Sequence, residues 1–434
     1  KIVATEMKIE ESAARDIMAL NIYSMEMTDK IQQGMTEFVD FLHSLDRIKH
    51  GRLTMTLPDG TTRVFGDAAS PVRASLRVKR ASFFRRVLLW GDVGFGEAYQ
   101  HGDFETDDLT ALIRLFIENG EAMAVDNGRW AAWGKIRNRM RHLMNRNTES
   151  GSRRNIYAHY DLGNEFFKLF LDPTLMYSCA KFEPDDTLES AQRRKVDMIL
   201  DKAGVRPGDH VLEIGSGWGT CAIEAAKRGA QVTTMTISQR QFEFVKARIE
   251  REGFSDRVSV VLRDYRKAEG SYDSIVSIEM IEAVGHEFLG TFFATCDRLL
   301  KPHGVIVIQG ITIPDQRYDA YHGGCDWIQK HIFPGALLPS LTAMCSALTA
   351  NTSLMVESVE NVGAHYAPTL RLWREALLAN KDKVKALGFD DVFLRTWDYY
   401  FSYCEAGFST RTLGDLQLVL TRPNNRRLPV PEAK

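Results

Sequence analysis

Six short apolar segments alternate with helical patterns through the second half of the chain. The strand candidates are Val211–Ile214, Gln231–Thr236, Val258–Leu262, Ser274–Ile278, Gly304–Ile313 and Leu416–Thr421. Apolar strands separated by helices predict a parallel sheet that is covered by helices on both faces. In such folds ligands bind outside the carboxyl ends of the strands, where the strand order reverses. The alternation therefore predicts an α/β domain and the edge of the sheet at which its site lies.

The first of these strands ends in a glycine-rich turn with an acidic residue before it. Val211–Ile214 runs into Gly215, Gly217 and Gly219, and a helical pattern follows. Glycines permit a tight turn and a close approach of the backbone to a ligand. The carboxylate of Glu213 repels phosphate and suits a cofactor with a positive amino group and a ribose, such as S-adenosylmethionine. A plain strand-to-helix turn is the alternative, because short glycine motifs also match by chance.

Polar residues follow three further strands. Thr236 and Gln241 come after the second strand and can offer neutral hydrogen bonds to a ribose. Asp264 and Tyr265 follow the third, where a carboxylate could accept from an adenine amino group and the ring could stack. Glu282 follows the fourth strand and could stabilise a sulfonium, or it could satisfy free N–H groups at a helix start. Their recurrence at successive strand ends predicts one ligand site.

Composition excludes several function classes. Of 434 residues, 44% are hydrophobic and 26% are charged, which is typical of globular proteins, and the length suggests two or three domains. The net charge of −2 shows no excess of basic residues of the kind that binds nucleic acid, so we expect no nucleic-acid partner. We expect no signal peptide and no membrane span, since no apolar run approaches about 18 residues.

The six cysteines are scattered without paired spacing. This pattern argues against a disulfide framework or a metal site and favours a reducing cytosol. Because the chain starts at Lys1 rather than Met, we expect further sequence before it.

Two of the three predicted segments are domains. Residues 1–128 begin with a helical pattern up to about residue 45 and continue with a predicted hairpin, in which Leu53–Leu57 and Thr61–Phe65 flank an Asp-Gly turn. A helix, a glycine-rich turn over residues 91–96 and a second helix follow, so we predict an α+β domain with membrane or dimer contacts. Residues 156–434 hold the α/β pattern, with a mostly helical lid over about 314–412.

The segment 129–155 differs in composition from both domains. Its apolar residues at helical spacing are Trp130, Trp133, Ile136, Met140 and Leu143. Arginine and lysine dominate its charges, and a basic amphipathic helix of this kind can lie on an anionic lipid surface. A linker helix packed on the protein is the equal alternative, because apolar stripes usually face a core.

Longer motifs carry a resemblance to a known family. The motifs are HYDLGN from His159, YSC from Tyr177, LESAQRRK from Leu188, the glycine turn, TISQRQ from Thr236, KHIFPG from Lys330 and CEAGF from Cys404. Their order resembles the cyclopropane fatty acid synthase family, which includes the mycolic acid cyclopropane synthases and related fatty-acid methyltransferases. The resemblance covers nearly all of the chain beyond about residue 45. It implies the class I S-adenosylmethionine methyltransferase fold, Rossmann-like with a seven-stranded, mostly parallel sheet.

The resemblance also implies the residues of the site. Those that match cofactor contacts are Tyr177, Ser178, Gly215, Gly217, Thr236 and Gln241. Relatives bind a bicarbonate ion near the methyl group through residues that match Cys179, Glu282 and Tyr366, and through a histidine after the fifth strand. This chain has Gln309 there, and an amide carries no proton charge at neutral pH, so the bicarbonate ion and the identity of the base stay open. Cys404 is a further catalytic candidate, with core packing as its alternative.

The implied reaction is methyl transfer from S-adenosylmethionine to the double bond of an unsaturated phospholipid acyl chain. The alkene attacks the methyl group and leaves a carbocation, which carboxylates and aromatic faces stabilise and from which water is excluded. Loss of a methyl proton closes a cyclopropane ring. Loss of a different proton gives a methyl- or methylene-branched chain without a ring, for which we expect a reductase partner.

The expected partner is therefore phospholipid in a membrane surface, with the protein cytoplasmic and peripheral at the inner membrane face. The sequence leaves a homodimer open. A methyltransferase for a small polar amine or thiol is a rival that the lack of polar motifs in the lid disfavours. Glu213 and the missing third glycine of GxGxxG disfavour a nicotinamide oxidoreductase, and a lipid-binding module without catalysis would not need the glycine turn.

Overall fold

The computed structural model describes residue 39, residues 41–120, residues 147 and 151, and residues 162–428. The chain divides into two compact units, Lys1–Arg137 and Asn138–Lys434. Of the predicted N-terminal helical segment, residues 41–45 are described and are helical. The predicted basic helix at 129–155 lies outside the described residues apart from 147 and 151, as does the start of the HYDLGN motif.

The first unit contains a four-stranded sheet. Its strands are β1 (Arg52–Thr56), β2 (Thr62–Gly66), β3 (Arg73–Val78) and β4 (Phe104–Glu105). They lie in the order β2-β1-β3-β4. The predicted hairpin is confirmed, because β1 and β2 pair antiparallel with Leu53 opposite Phe65. Leu53 and Met55 are fully buried and alternate with partly exposed residues, so one face of the sheet is a core face.

In the described part of this unit two helices follow, α1 (Ser82–Gln100) and α2 (Leu109–Glu118). The glycine-rich turn predicted for residues 91–96 is wrong except at its first residue, since α1 only kinks at Gly91 (φ 56°, ψ −129°) and then continues. Gly94 lies inside the helix, and a Cβ there would lie 1.9 Å from the carbonyl oxygen of Arg86. This glycine therefore permits close packing against the preceding segment rather than forming a loop.

The second unit holds a seven-stranded sheet, the number that the family resemblance implies. Its strands are β5 (His210–Ile214), β6 (Gln231–Thr236), β7 (Val258–Leu262), β8 (Tyr272–Ile278), β9 (Leu300–Thr312), β10 (Met355–Asn361) and β11 (Gly414–Thr421). They lie in the order β10-β11-β9-β8-β5-β6-β7. The pairs among β5 to β9 are parallel, and β11 is antiparallel to both of its neighbours. The strand order therefore reverses between β5 and β8, where a ligand is expected.

Helices connect these strands. They are α3 (Asn164–Phe167), α4 (Leu188–Lys202), α5 (Thr220–Lys227), α6 (Gln239–Glu252), α7 (Leu289–Leu299), α8 (Asp315–His322), α9 (Trp327–His331), α10 (Leu341–Asn351), α11 (Tyr366–Ala379), α12 (Lys381–Ala386) and α13 (Asp391–Ser409). Hydroxyl side chains start three of them, since Thr187 caps α4, Ser238 caps α6 and Ser340 caps α10 by accepting from backbone N–H groups. Among the described helices of both units, none has the length and apolar character needed to span a bilayer.

One strand lies inside the segment that we predicted to be mostly helical. Residues 314–412 hold α8 to α13, but β10 runs through them and forms one edge of the sheet. None of its seven residues is buried, so its sequence lacks the apolar run by which the other strands are recognised. An exposed edge strand needs no such run because only one of its sides pairs.

Alternate residues of the central strands enter two separate apolar layers. Leu212 belongs to a layer built on α7, which contributes Phe292. Its neighbour Val211 faces the opposite layer, to which α4 contributes Ile199. Both faces of the sheet are therefore covered, as the continuous apolar character of the strands predicts, and the carboxyl ends of the strands stay available for a site.

Candidate active site

The glycine turn between β5 and α5 is open at one position. Gly215, Gly217 and Gly219 have φ values of 99°, 48° and 91°, a region that L side chains rarely adopt. A Cβ would lie 3.4 Å from Met280 at Gly215 and 2.9 Å from Val245 at Gly219. At Gly217 no atom lies within 4 Å of that position. The turn therefore packs against protein at two glycines and leaves a cradle at the third, which fits the predicted cofactor.

Glu213 is a buried carboxyl beside this turn. It accepts a hydrogen bond from Thr234 Oγ1 at 2.5 Å. Burial raises the pKa of Glu213 to about 7, because a carboxylate in the interior loses its solvation. A positively charged amino group at the cradle would favour the ionised form. The charge that Glu213 presents therefore changes near neutral pH.

Glu213→Gln is expected to weaken cofactor binding and to stabilise the free protein above about pH 7. Between the ordinary value of 4.5 and about 7, the unfolded chain is ionised here while the folded protein keeps its proton, so the free energy of unfolding falls as the pH rises. The amide of the variant does not titrate, so at pH 8 its free energy of unfolding is expected to exceed that of the wild type by about 3 kcal/mol. Thermal unfolding and calorimetric titration with S-adenosylmethionine, each across this pH range, measure the two effects. A wild-type affinity for the cofactor that is independent of pH would contradict the role of Glu213.

The ends of β6 and β7 bring the predicted polar residues to the same edge. Thr236 Oγ1 donates to Gln241 Oε1 at 2.8 Å, which places the two ribose candidates together. Asp264 accepts from Arg266 Nε at 2.9 Å. The ring of Tyr265 is buried and packs edge-on against Phe292, with centroids 5.4 Å apart. Tyr265 thus lies in the apolar core under α7, and the stacking role assigned to it stays a prediction.

The YSC segment precedes α4 and contributes three different groups. The hydroxyl of Tyr177 contacts that of Tyr400 at 3.1 Å, and its ring lies 5.2 Å from that of Trp373. Ser178 Oγ accepts from Lys195 Nζ at 2.5 Å. Cys179 is fully buried, and burial raises the pKa of its thiol well above the ordinary value. The thiol is therefore neutral, and the polar group that Cys179 offers to the site is its backbone N–H.

Three carboxyl groups meet at the carboxyl edge of the sheet, and we call Glu279, Glu282 and Asp415 the acid cluster. Glu279 directly follows β8, Glu282 lies in a short 3-10 turn (Ile281–Ala283), and Asp415 lies at the start of β11. Asp415 is fully buried and Glu282 nearly so, whereas Glu279 is partly exposed. Glu279 adjoins Met280, whose side chain packs at the glycine turn, so the acid cluster borders the predicted cofactor cradle.

Glu282 is the member of the cluster that the family resemblance selects. Its Oε1 accepts from the backbone N–H of Ile311, while its Oε2 is buried without a hydrogen-bond partner among the described residues. Burial, and then the negative charge of Glu279, raise the pKa of Glu282 to about 8. In the free protein at neutral pH, Glu282 therefore holds a proton.

A chain of side chains fixes the orientation of Gln309. Lys202 Nζ donates to Gln417 Oε1 at 2.6 Å, and a lysine can only donate. Gln417 must therefore turn its Nε2 towards Gln309 Oε1, 3.0 Å away. This leaves the Nε2 of Gln309 to donate to Glu279 at 2.9 Å and to Asp415 at 2.8 Å. Gln309 thus serves the site as a donor of two hydrogen bonds.

Tyr366 and Cys404 differ in their contacts with the acid cluster. Tyr366 begins α11, and its hydroxyl donates to Glu279 Oε2 at 2.6 Å. Cys404 lies on α13, and burial raises the pKa of its thiol. Among the described residues no hydrogen bond links Cys404 to the acid cluster. The structure therefore brings Tyr366, Cys179 and Gln309 together, and the catalytic role of Cys404 stays a prediction.

Sequence reasoning missed three residues of the site: Glu279, Asp415 and Lys195. Glu279 directly follows a predicted strand, the position that had drawn attention to Glu282. Lys195 is 1% exposed and falls on the apolar face of α4 with Ala191 and Ile199. A lysine on an apolar helix face is the signal that could have revealed a buried cation. Asp415 had no such signal beyond its place at the start of a fully buried strand.

Comparison with known proteins shows which family this chain resembles. The family model described as mycolic acid cyclopropane synthetase matches residues 147–418. A tuberculostearic acid methyltransferase of Mycobacterium tuberculosis is 40% identical over 382 residues, 86% of this chain and 88% of that protein. The cyclopropane-fatty-acyl-phospholipid synthase of Escherichia coli K12 is 35% identical over 356 residues, 80% of this chain and 88% of that protein. Both alignments extend beyond the α/β domain into the first unit.

A solved structure shares the fold of the second unit. It is the crystal structure of the mycolic acid cyclopropane synthase CmaA1 complexed with SAH and CTAB, with a TM-score of 0.58 and 34% identity. The match covers 62% of this chain and 98% of that chain. The neighbour is thus matched over nearly its whole length.

Proposed function

Because the chain belongs to the mycolic acid cyclopropane synthetase family, it is an S-adenosylmethionine-dependent methyltransferase of the cyclopropane synthase type, and we propose that its acceptor is the double bond of an unsaturated phospholipid acyl chain. The observation that carries this proposal is a partly exposed carboxyl, Glu279, that accepts a hydrogen bond from Tyr366, whose ring packs with those of Trp373 and Phe408 to form an aromatic wall. An amine or thiol acceptor has a lone pair of its own, whereas an alkene acceptor leaves a carbocation that needs such a wall.

The residues of the site suit this chemistry. S-adenosylmethionine supplies an electrophilic methyl group on a sulfonium. The aromatic rings of Tyr366 and Phe408 stack with centroids 4.5 Å apart, and Tyr366 lies edge-on to Trp373 at 6.0 Å. Ring faces and a nearby carboxylate stabilise a developing cation. Because Tyr366 and Trp373 are almost fully buried, this wall also excludes the water that would trap the cation.

We propose the cyclopropane as the first candidate product. The alkene carbon forms a bond to the methyl carbon as the methyl–sulfur bond breaks, and the second alkene carbon becomes the cation. A base then removes a proton from the new methyl group, and the released electron pair closes the ring. The cyclopropane synthase of E. coli and the CmaA1 structure support this outcome by their similarity.

A methylene or methyl branch is the second candidate, and two observations favour it. The relative that is 40% identical is a tuberculostearic acid methyltransferase, a methyl-branching enzyme, and this chain has Gln309 where ring-forming relatives have a histidine. If a hydride shifts to the cation from the methylated carbon, the charge moves to that carbon. Loss of a methyl proton then leaves an exocyclic methylene, which a separate reductase would convert to a methyl branch.

The surface that meets the lipid is part of the same proposal. Residues 129–155 carry many arginines and lysines together with two tryptophans. Basic segments of this kind are attracted to anionic headgroups, which supports peripheral association with the cytoplasmic face of a membrane. Vesicle flotation with anionic and with neutral phospholipid measures this association.

Incubation with vesicles tests the acceptor directly. Phospholipid vesicles with monounsaturated chains, S-adenosylmethionine and the full chain are expected to yield fatty acids that are heavier by one CH₂. Vesicles with the same headgroup but saturated chains are the matched control and should gain nothing. NMR of the product separates ring protons from exocyclic methylene protons, which decides between the two candidates. Methylation of a soluble amine without any change in lipid would overturn the proposal.

A further inference from the structure

The groups that the family resemblance assigns to a bicarbonate ion already hold a carboxylate of this chain. Glu279 Oε1 accepts from the backbone N–H of Cys179 at 2.8 Å and from Gln309 Nε2 at 2.9 Å. Its Oε2 accepts from the hydroxyl of Tyr366 at 2.6 Å. A carboxylate and a bicarbonate ion present the same planar pair of oxygens to such donors. Since these donors are engaged, the residues present do not fit a bound bicarbonate.

We propose that the Glu279 side chain takes the place of the bicarbonate ion and accepts the proton that leaves the methylated acyl chain. This inference rests on the proposed function, because it assigns the base of that reaction. Glu279 is the member of the acid cluster suited to the role, since it is partly exposed whereas Asp415 is fully buried. A group must reach the acyl chain to take its proton.

The surroundings favour ionisation of Glu279 over ionisation of Asp415. Burial raises the pKa of Glu279 above its ordinary value, and the field of the buried Lys195 together with the three hydrogen bonds that Glu279 accepts opposes this rise. Asp415 accepts from Gln309 Nε2, and burial, followed by the neighbouring carboxyl of Glu279, raises its pKa well above the ordinary value. Two adjacent carboxyls cannot both ionise at low cost. Of the two carboxyls, the one that faces the site therefore ionises first.

The backbone at Glu279 gives an independent indication. Its φ is +48°, a left-handed conformation that is strained for any residue with a side chain. The strained peptide is held in place, because the N–H of Glu279 donates to the carbonyl of Gln309 at 2.8 Å. Strain of this kind persists where the fold over-determines it and is concentrated at functional sites. A glycine would adopt this conformation freely, whereas the glutamate at this position adopts it at a cost in conformational energy.

The proton transfer is balanced without an added ion. The carboxylate of Glu279 takes one proton from the new methyl group, and the C–H electron pair closes the ring or forms the exocyclic double bond. Glu279 is left as a neutral carboxylic acid that still accepts from Cys179 and Gln309. Release of this proton to solvent after the product leaves restores the carboxylate, so one turnover releases one proton.

Two substitutions at this position test the inference. Glu279→Gln keeps the size of the side chain and removes the base, so lipid turnover is expected to fall at least about 100-fold, with cofactor affinity within about threefold of wild type. Glu279→Gly relieves the backbone strain and vacates the space between the three donors. It is expected to be inactive in buffer depleted of carbon dioxide and to regain turnover when bicarbonate is added. Wild-type turnover should be the same with and without bicarbonate.

Glu189→Gln is the matched control, since Glu189 is a partly exposed carboxylate on α4 that pairs with Arg193. It should behave as wild type in both buffers. The inference is overturned if wild-type turnover depends on bicarbonate, if Glu279→Gln retains full turnover, or if bicarbonate restores nothing to Glu279→Gly. These outcomes differ from failure of the proposed function, in which the wild-type protein methylates no lipid at all.

Discussion

Gly217→Ala is expected to weaken S-adenosylmethionine binding by about 100-fold, or about 2.7 kcal/mol, with only a small loss of stability. Gly217 is the glycine of the turn at which a Cβ meets no protein atom within 4 Å. The added methyl group therefore clashes with no part of the fold and fills space that the cofactor would occupy. Its φ of +48° adds a strain of about 1 kcal/mol to the folded state.

Gly253→Ala separates cofactor loss from backbone strain. Gly253 ends α6 with a φ of +78°, and no atom lies within 4 Å of its Cβ position either. Its alanine variant should lose about as much stability as Gly217→Ala, about 1 kcal/mol, with unchanged affinity for S-adenosylmethionine. Calorimetric titration and thermal unfolding of both variants give the comparison. Equal affinity in Gly217→Ala and wild type would remove the glycine turn from the cofactor site.

The positions of Thr236 and Gln241 could be predicted from the sequence because they depend on local patterns. An apolar strand followed by a capped helix fixes both residues at the carboxyl end of β6, and parallel pairing brings that end beside the glycine turn. The same reasoning located β5 to β9 and β11. It failed for β10, whose exposed residues carry no apolar period, and for Gly94, whose role depends on a contact with Arg86.

The choice between Glu279 and Glu282 could not be made from the sequence. Both follow the same strand, and the turn at Ile281–Ala283 sends one side chain to the N–H of Ile311 and the other to the N–H of Cys179, 100 residues away. Asp415 approaches them only because β11 pairs with β9. Such contacts depend on the tertiary fold, so the resemblance to a family selected Glu282 while the hydrogen bonds select Glu279.

Lys195→Met is expected to lower lipid turnover at neutral pH by about 100-fold and to shift the pH profile towards higher pH. Lys195 is 1% exposed; burial lowers its pKa, and the acidic groups that face it and oppose this effect are Glu279, Cys179, Cys221 and Asp415. Without the ammonium, Glu279 loses its nearest compensating charge and holds its proton to a higher pH. A protonated Glu279 cannot accept a proton, so the rising limb of turnover against pH moves upward.

Methionine is chosen because it matches the length of lysine and fills the same buried space, so the variant removes the charge without creating a cavity. The control is Lys227→Met, in which an exposed lysine paired with Glu224 is removed from α5. The free energy of unfolding of that variant should lie within about 0.5 kcal/mol of the wild-type value, and its pH profile of turnover should be that of the wild type. If Lys195→Met loses turnover equally at every pH, the role of Lys195 is to position the Ser178 segment and not to favour the ionised form of Glu279. Recovery of turnover at high pH in Lys195→Met, but not in Glu279→Gln, would link the buried cation to the base through their charges.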